Sequence, residues 1–240
     1  MRNFFLVIAV IFAGFYAMNR FSSSDSSAVV QNNPIAEREQ KLNQLVLLQP
    51  FKQHHAKPYE EAVQAANTAL PNNDIEAVVS GSFWWSLRRV VEQQADDQGQ
   101  YLWAQAYLQQ LYDARRADRC FAIAFPLYSK LPPAQIREFL ADSTQKQTAD
   151  ALSYILTHSG SRSVVERMQM PTAWQGVAER LRQEYGADAD MINQGEVASD
   201  KRKQCDVVIR TFEYSLSLPE QERGPVLRWL LDRHISAVVF

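Results

Sequence analysis

The stretch that decides the fold is CDVVIRTFEYSL, residues 205–216. Its apolar residues recur at intervals of three and four, which is the spacing of one face of an α-helix. They are Cys205, Val208, Ile209, Phe212 and Leu216. A second segment has the same spacing and also begins at a cysteine, with Cys120, Ile123, Ala124, Leu127 and Leu131. These two stripes predict the inward faces of two helices in one core.

The rest of the chain is also predicted to be helical. Of its 240 residues only eight are glycine, 46% are hydrophobic and 22% are charged, which is typical of a globular domain. Prolines, Gly99 and Gly186 separate the helical segments, residues 187–199 are predicted to be a loop, and each cysteine helix is followed by a short helix (134–140 and 226–231). The other predicted helices cover 35–48, 59–70, 74–95, 101–116, 145–157 and 173–185. We therefore expect an all-α fold, a single domain of about nine helices over residues 34–240.

The N-terminus has the pattern of an export signal. Residues 4–18 are uncharged and mostly apolar, Arg2 precedes them, and a polar run follows at residues 22–27. Such a helix is about 22 Å long, short of a hydrocarbon core of about 30 Å, and the bulky Phe15 and Tyr16 make a poor cleavage site. We expect a signal-anchor over residues 1–21 and a polar tether over 22–33, with the domain in the periplasm and a single pass through a bacterial inner membrane. A cleaved signal peptide and an ordinary buried helix are the alternatives.

The two cysteines are expected to form a disulfide. Cys120 and Cys205 both begin core stripes, and thiols that meet in an oxidising compartment pair. The alternative is two reduced thiols that pack as small hydrophobic groups. Neither alternative makes them catalytic, because the chain has no Cys-x-x-Cys motif.

Charge and motifs point away from several functions. The net charge of −2 gives no reason to expect a nucleic-acid partner. The chain lacks the His-Glu-x-x-His, Gly-x-Ser-x-Gly, P-loop and Gly-x-Gly-x-x-Gly motifs, so no catalytic residue, metal or cofactor is predicted. The adjacent His54 and His55 diverge by about 100° on a helix and are expected to be solvated or to cap a helix. An enzyme is not favoured, although the sequence does not show whether two carboxylates meet in a cleft.

The 74–95 segment carries two tryptophans on different sides. Trp84 lies at the margin of its apolar stripe and Trp85 lies roughly opposite the centre of that stripe. Such a helix is either covered on both faces or exposes Trp85 in a patch that binds a partner.

Residues 210–220, RTFEYSLSLPE, resemble the signature of lipase-specific foldases. The pattern in that family is Arg, two residues, Phe-Asp-Tyr, Phe or Cys, then Leu-Ser-Ala-Leu-Gly-Glu, and residues 223–231 resemble the helix that follows it. This chain has one residue fewer before Phe212 and one fewer after Ser217, Glu213 replaces Asp, and Pro219 replaces Gly. The motif also lies near the C-terminus, whereas the family has it near the start of the periplasmic region. The resemblance implies a membrane-anchored steric chaperone that helps a secreted lipase to fold before type II export.

A candidate partner surface lies opposite the Cys205 stripe. Arg210, Tyr214 and Ser217 follow the spacing i, i+4, i+7 on that outer face, where a guanidinium, a phenol and a hydroxyl can bind a polar edge of a partner. Glu213 belongs to the same motif, and Trp84 and Trp85 are further candidates. We predict a membrane-tethered periplasmic binding protein, a chaperone for a secreted client linked to type II secretion. A periplasmic immunity or secretion-accessory protein is the alternative among binding proteins, and a periplasmic hydrolase is the alternative among enzymes.

Overall fold

The structure is a computed structural model, and it describes residues 52–68, 90–91, 94–125, 138–158, 170–194 and 198–237. The all-α prediction is confirmed for these residues, which contain helices and no strand. The helices are α1 (Ala56–Thr68), α2 (Asp97–Arg116), α3 (Cys120–Ala124), α4 (Asp142–His158), α5 (Ala173–Tyr185), a 3-10 helix (Gly186–Asn193), α6 (Lys201–Leu216) and α7 (Glu220–Ala237).

The predicted signal-anchor (1–21), the predicted tether (22–33), Trp84 and Trp85 lie outside the described residues. None of the helices in the described ranges combines the length and the apolar character needed to cross a membrane.

Helix α2 is the centre of the packing, and α3, α4, α6 and α7 all pack against it. It runs antiparallel to α4, because Gly99 near its start lies beside Ile155, whereas Gln110 further along donates to Thr148 at 2.7 Å. The largest side chains buried in the core are Phe212, Leu111, Ile123, Leu152, Ile155, Leu156, Leu227 and Leu230.

Two aspartates fix where α2 and α6 begin. The carboxylate of Asp96 accepts the Gly99 N–H at 2.6 Å, and that of Asp200 accepts two amides of the first turn of α6 at 3.0 and 2.9 Å. Each aspartate is an N-cap residue that satisfies donors which the helix leaves free. The prediction that Gly99 separates two helices is therefore wrong, since Gly99 lies in the first turn of α2.

The structure corrects three other local predictions. Part of the predicted 187–199 loop is a 3-10 helix, entered through Gly186 at a φ of 59°. Helix α7 is much longer than residues 226–231 and continues through Pro225, because Val226 and Leu227 beside it are fully buried. Helix α3 ends at Ala124, since the residue before a proline, here Phe125 before Pro126, disfavours the helical conformation.

Cys120 and Cys205 lie at disulfide distance, as predicted. Their Cα atoms are 6.0 Å apart, and the bond joins α3 to α6 across a sequence separation of 85 residues. Both sulfur-bearing side chains are buried in the main core.

The disulfide predicts a result for protein that is extracted from cells under conditions that prevent thiol exchange. When this protein is denatured without reduction, it should not react with an alkylating reagent. Reduction should lower the free energy of unfolding by about 4–5 kcal/mol, because the crosslink restricts a long loop in the unfolded chain. A Cys120→Ala, Cys205→Ala double variant is the control and should not respond to reductant. Full alkylation of both thiols without reduction would refute the pairing.

Two glycines should respond to substitution with opposite signs. A Cβ on Gly99 would lie 2.9 Å from Cγ1 of Ile155, whereas one on Gly176 in α5 would meet nothing within 4 Å. Gly99→Ala should therefore lower the free energy of unfolding by about 1 kcal/mol, because the overpacking cost of about 1–3 kcal/mol exceeds the helix preference for alanine. Gly176→Ala should raise it by about 0.5–1 kcal/mol. Urea denaturation of both variants tests the pair, and equal shifts would contradict the close approach of α2 and α4.

Candidate functional site

The outer face of α6 carries the residues singled out by the sequence. The inner face is buried, with Val208 and Phe212 fully enclosed, so the opposite face points away from the core. On that face Arg210 and Ser217 are exposed, and Glu213 and Tyr214 are half-buried.

Glu184 of α5 holds two of these side chains together. Its Oε1 accepts from Nε of Arg210 at 3.0 Å, and its Oε2 accepts from the Tyr214 hydroxyl at 2.5 Å. The guanidinium also donates through Nη1 to Glu213 at 2.6 Å. One carboxylate from a neighbouring helix thus fixes the side chains of Arg210 and Tyr214 next to each other.

Tyr112 extends this network to the central helix. Its hydroxyl donates to Oε1 of Glu213, so α2, α5 and α6 are connected by one chain of hydrogen bonds. Burial, followed by the hydrogen bond to Glu213, raises the pKa of Tyr112 to about 12. We call the set Tyr112, Glu184, Arg210, Glu213 and Tyr214 the α5–α6 network.

Ser217 stands next to the network without joining it. Its hydroxyl donates to the backbone carbonyl of Tyr214 at 2.8 Å, at the end of α6 where helix carbonyls lack helical partners. Ser217 therefore continues the outer row in space, while its hydrogen bond serves the helix end.

The ring of Tyr214 lies over a small apolar cluster, so the row is only partly an outer surface. The buried members of that cluster are Val177, Leu181 and Ala189, and Trp174 and Leu218 pack at its edge. The guanidinium of Arg180 lies 5.8 Å from the centre of the Tyr214 ring. Tryptophan, tyrosine and arginine at a half-buried surface are the composition of interface anchors.

The electrostatics of the network fix its protonation state. The hydrogen bond from Tyr214 is the main cause that lowers the pKa of Glu184, and the same bond raises the pKa of Tyr214. The hydrogen bond to Glu213, before any other cause, raises the pKa of Arg210. All three shifts move the pKa values of these groups further from neutral pH, whereas the pKa of a general acid or base catalyst lies near the operating pH.

The most buried carboxylate of the described residues has a structural role. Asp113 on α2 accepts from Arg116 and, through Oδ2, from the backbone N–H of Ala141 at 2.9 Å, just before α4 begins. It therefore anchors the start of α4 and is not an isolated acid in a cleft. Over the described ranges, His, Cys, Asp and Glu form no group that could hold a metal ion.

No known protein family, curated protein or solved structure matches this chain.

Three residues of the site escaped the sequence interpretation. Trp174 had a usable signal, because it begins a helical stripe with Val177 and Leu181. Tyr112 and Glu184 had no such signal, since each forms its hydrogen bond with a residue that is distant in sequence. The partner of Tyr112 is 101 positions away and that of Glu184 is 30 positions away.

The network predicts a change in the titration of Glu184. Tyr214→Phe removes the hydroxyl that lowers the pKa of Glu184 most, so this pKa should rise toward its ordinary value of 4.5. Carboxyl chemical shifts followed by NMR against pH measure it. Because the folded pKa lies below the unfolded one, ionised Glu184 stabilises the domain above the ordinary pKa, and this stabilisation is lost as the pH falls through the lowered value. The decrease in the free energy of unfolding on acidification should therefore be smaller in Tyr214→Phe than in the wild type.

Tyr185→Phe is the matched control, because the Tyr185 hydroxyl contributes least to the lowered pKa of Glu184. An equal rise in both variants would show that the Tyr214 hydrogen bond does not dominate.

Proposed function

We propose that this chain is a membrane-tethered periplasmic binding protein, a chaperone that acts on a secreted client protein linked to type II secretion. It offers a helical surface to the client and makes or breaks no covalent bond. The observation that carries the proposal is the fixed pair of Arg210 and Tyr214 on the outer face of α6, held by Glu184 of α5.

The pair is suited to a partner because it is ordered and still accessible. Two N–H groups of Arg210 donate to glutamates, and its side chain remains 46% exposed, which leaves donors of the guanidinium for a partner. Side chains that are already fixed lose less conformational entropy on binding. Trp174 and Leu218 add apolar area beside them.

The compartment is supported by two features of different kinds. The apolar run of residues 4–18 has the character of an export signal, and the cysteine pair suits an oxidising compartment. The resemblance to lipase-specific foldases adds the client class. The residues that carry this resemblance, 210–220, extend from the outer face of α6, through the turn at Ser217 to Pro219, to the start of α7.

Photo-crosslinking can test the proposal. A photoreactive phenylalanine analogue at position 214 should capture an exported polypeptide in cells, and the same analogue at position 203 on α6 should not. The captured protein is then purified, and its refolding yield is measured with each variant of the chaperone. Arg210→Ala should lower the assisted yield, because an arginine anchor commonly contributes about 2 kcal/mol or more to binding. Tyr214→Phe should lower it less, since the ring stays in place.

Lys203→Ala is a matched control. Lys203 is also a cation of α6, 45% exposed, and it pairs with Asp188 in the 3-10 helix at 2.8 Å. This variant should assist refolding as the wild type does. If Arg210→Ala equals the control, or if the captured protein is not exported, the proposal fails.

A further inference from the structure

The start of α1 is attached to the end of α4 by one buried histidine. His55 immediately precedes α1 and is 8% exposed, so the solvated role expected from the sequence is wrong, whereas the capping role agrees with its hydrogen bond at the end of α4. Its Nε2–H donates to the carbonyl oxygen of Leu156 at 3.1 Å. That carbonyl lies in the last turn of α4, where carbonyls have no partner within the helix. His55 therefore joins the N-terminus of one helix to the C-terminus of another.

The acceptor fixes the tautomer of this histidine. A carbonyl oxygen only accepts, so Nε2 carries the hydrogen and, in the neutral ring, Nδ1 does not. Protonation would add a hydrogen at Nδ1 and place a full charge on a residue that is only 8% exposed, while the bond to Leu156 could persist. The consequence of acidification is thus the burial of a charge and not the loss of that hydrogen bond.

We propose that His55 is a pH-sensitive latch, which holds α1 against the end of α4 at neutral pH and releases α1 on acidification.

Titratable groups of both signs lie on the two segments that meet at His55. The basic ones lie on both segments. They are Lys52, His54 and Lys57 before and within α1, and His158 at the end of α4. Tyr154 of α4 stays neutral and donates to Asp96 at the start of α2. Glu60 and Glu61 follow on the exposed part of α1.

The individual effects on the titration of His55 do not all have the same sign. Burial is the largest and lowers the pKa of His55, the bond to the Leu156 carbonyl raises it, and the neighbouring His54 lowers it, so that the net shift is downward. A histidine with a lowered pKa stabilises docking above the undocked pKa, about 6.5, and this stabilisation is lost as the pH falls below it.

Release would also unfold α1. The helix has 13 residues and packs on the body through Tyr59 and Val63, and an isolated helix of this length is marginal in water. Its span would change from about 20 Å to as much as about 45 Å. If the proposed membrane tether precedes it, a point that rests on the proposed function, acidification extends the reach of the domain.

Amide hydrogen exchange of the full-length protein tests the latch, at about pH 7.5 and about pH 5. After correction for intrinsic exchange, protection in α1 should fall about tenfold per pH unit between about 6.5 and the lower pKa of docked His55. Protection in α2 should stay constant. A parallel loss in α2, or constant protection in α1, would overturn the proposal.

His55→Gln keeps an N–H donor at the place of Nε2 and does not titrate, so α1 should remain protected at both pH values. His158→Gln, on the exposed end of α4, should behave as the wild type. A pH response of α1 that persists in His55→Gln overturns the latch. If His55→Gln does not dock at all, the NMR titration of the wild-type imidazole decides, and a pKa of His55 at or above about 6.5 overturns it. No client is needed for these measurements, so this result and that of the crosslinking experiment can fail separately.

Discussion

The packing of α6 along α2 is the constraint on which the rest of the structure depends. The two helices run antiparallel, since Asp206 near the start of α6 pairs with Arg115 at 2.9 Å, whereas Phe212 further along meets the ring of Tyr107 at 5.0 Å. Phe212 is fully buried between the two helices. Its edge-to-face contact with Tyr107 favours one relative orientation of the two rings, which apolar burial alone does not. The register of α6 on α2 determines which of its residues face outward.

The α5–α6 network follows from that register. Once Phe212 is enclosed, Glu213 lies at the edge of the contact between the two helices, where Tyr112 can reach it, and Arg210 and Tyr214 lie on the side of α5. Surface ion pairs taken singly contribute little to stability, because water screens them and ordering the side chains costs entropy. The value of the network is therefore geometric. It holds a guanidinium and a phenol in a defined arrangement on a surface that a partner can approach.

Periodicity predicted the buried face of α6 because burial on one face is a property of a single helix. Cys205, Val208, Ile209 and Phe212 are all buried, and the pairing of the two cysteines followed from both stripes pointing into one core. The partners Glu184 and Tyr112 could not be predicted, since they depend on how helices meet. For the same reason the predicted role of Gly99 and the predicted start of the last helix at residue 226 were wrong. Helix α7 continues through Pro225, next to which Val226 and Leu227 are buried. Helix α2 begins before Gly99, because Asp96 is its N-cap residue.

The two proposed functions of the domain lie at opposite ends of the α2–α4 pair. Leu156, which accepts from His55, is next to Ile155, and Ile155 lies beside Gly99 in the first turn of α2. Tyr112 is 13 residues further along α2, a distance of about 20 Å in a helix. Sites this far apart with no shared contacts usually behave independently. Under the two proposals, acid release of α1 would therefore leave the arrangement of Arg210 and Tyr214 unchanged.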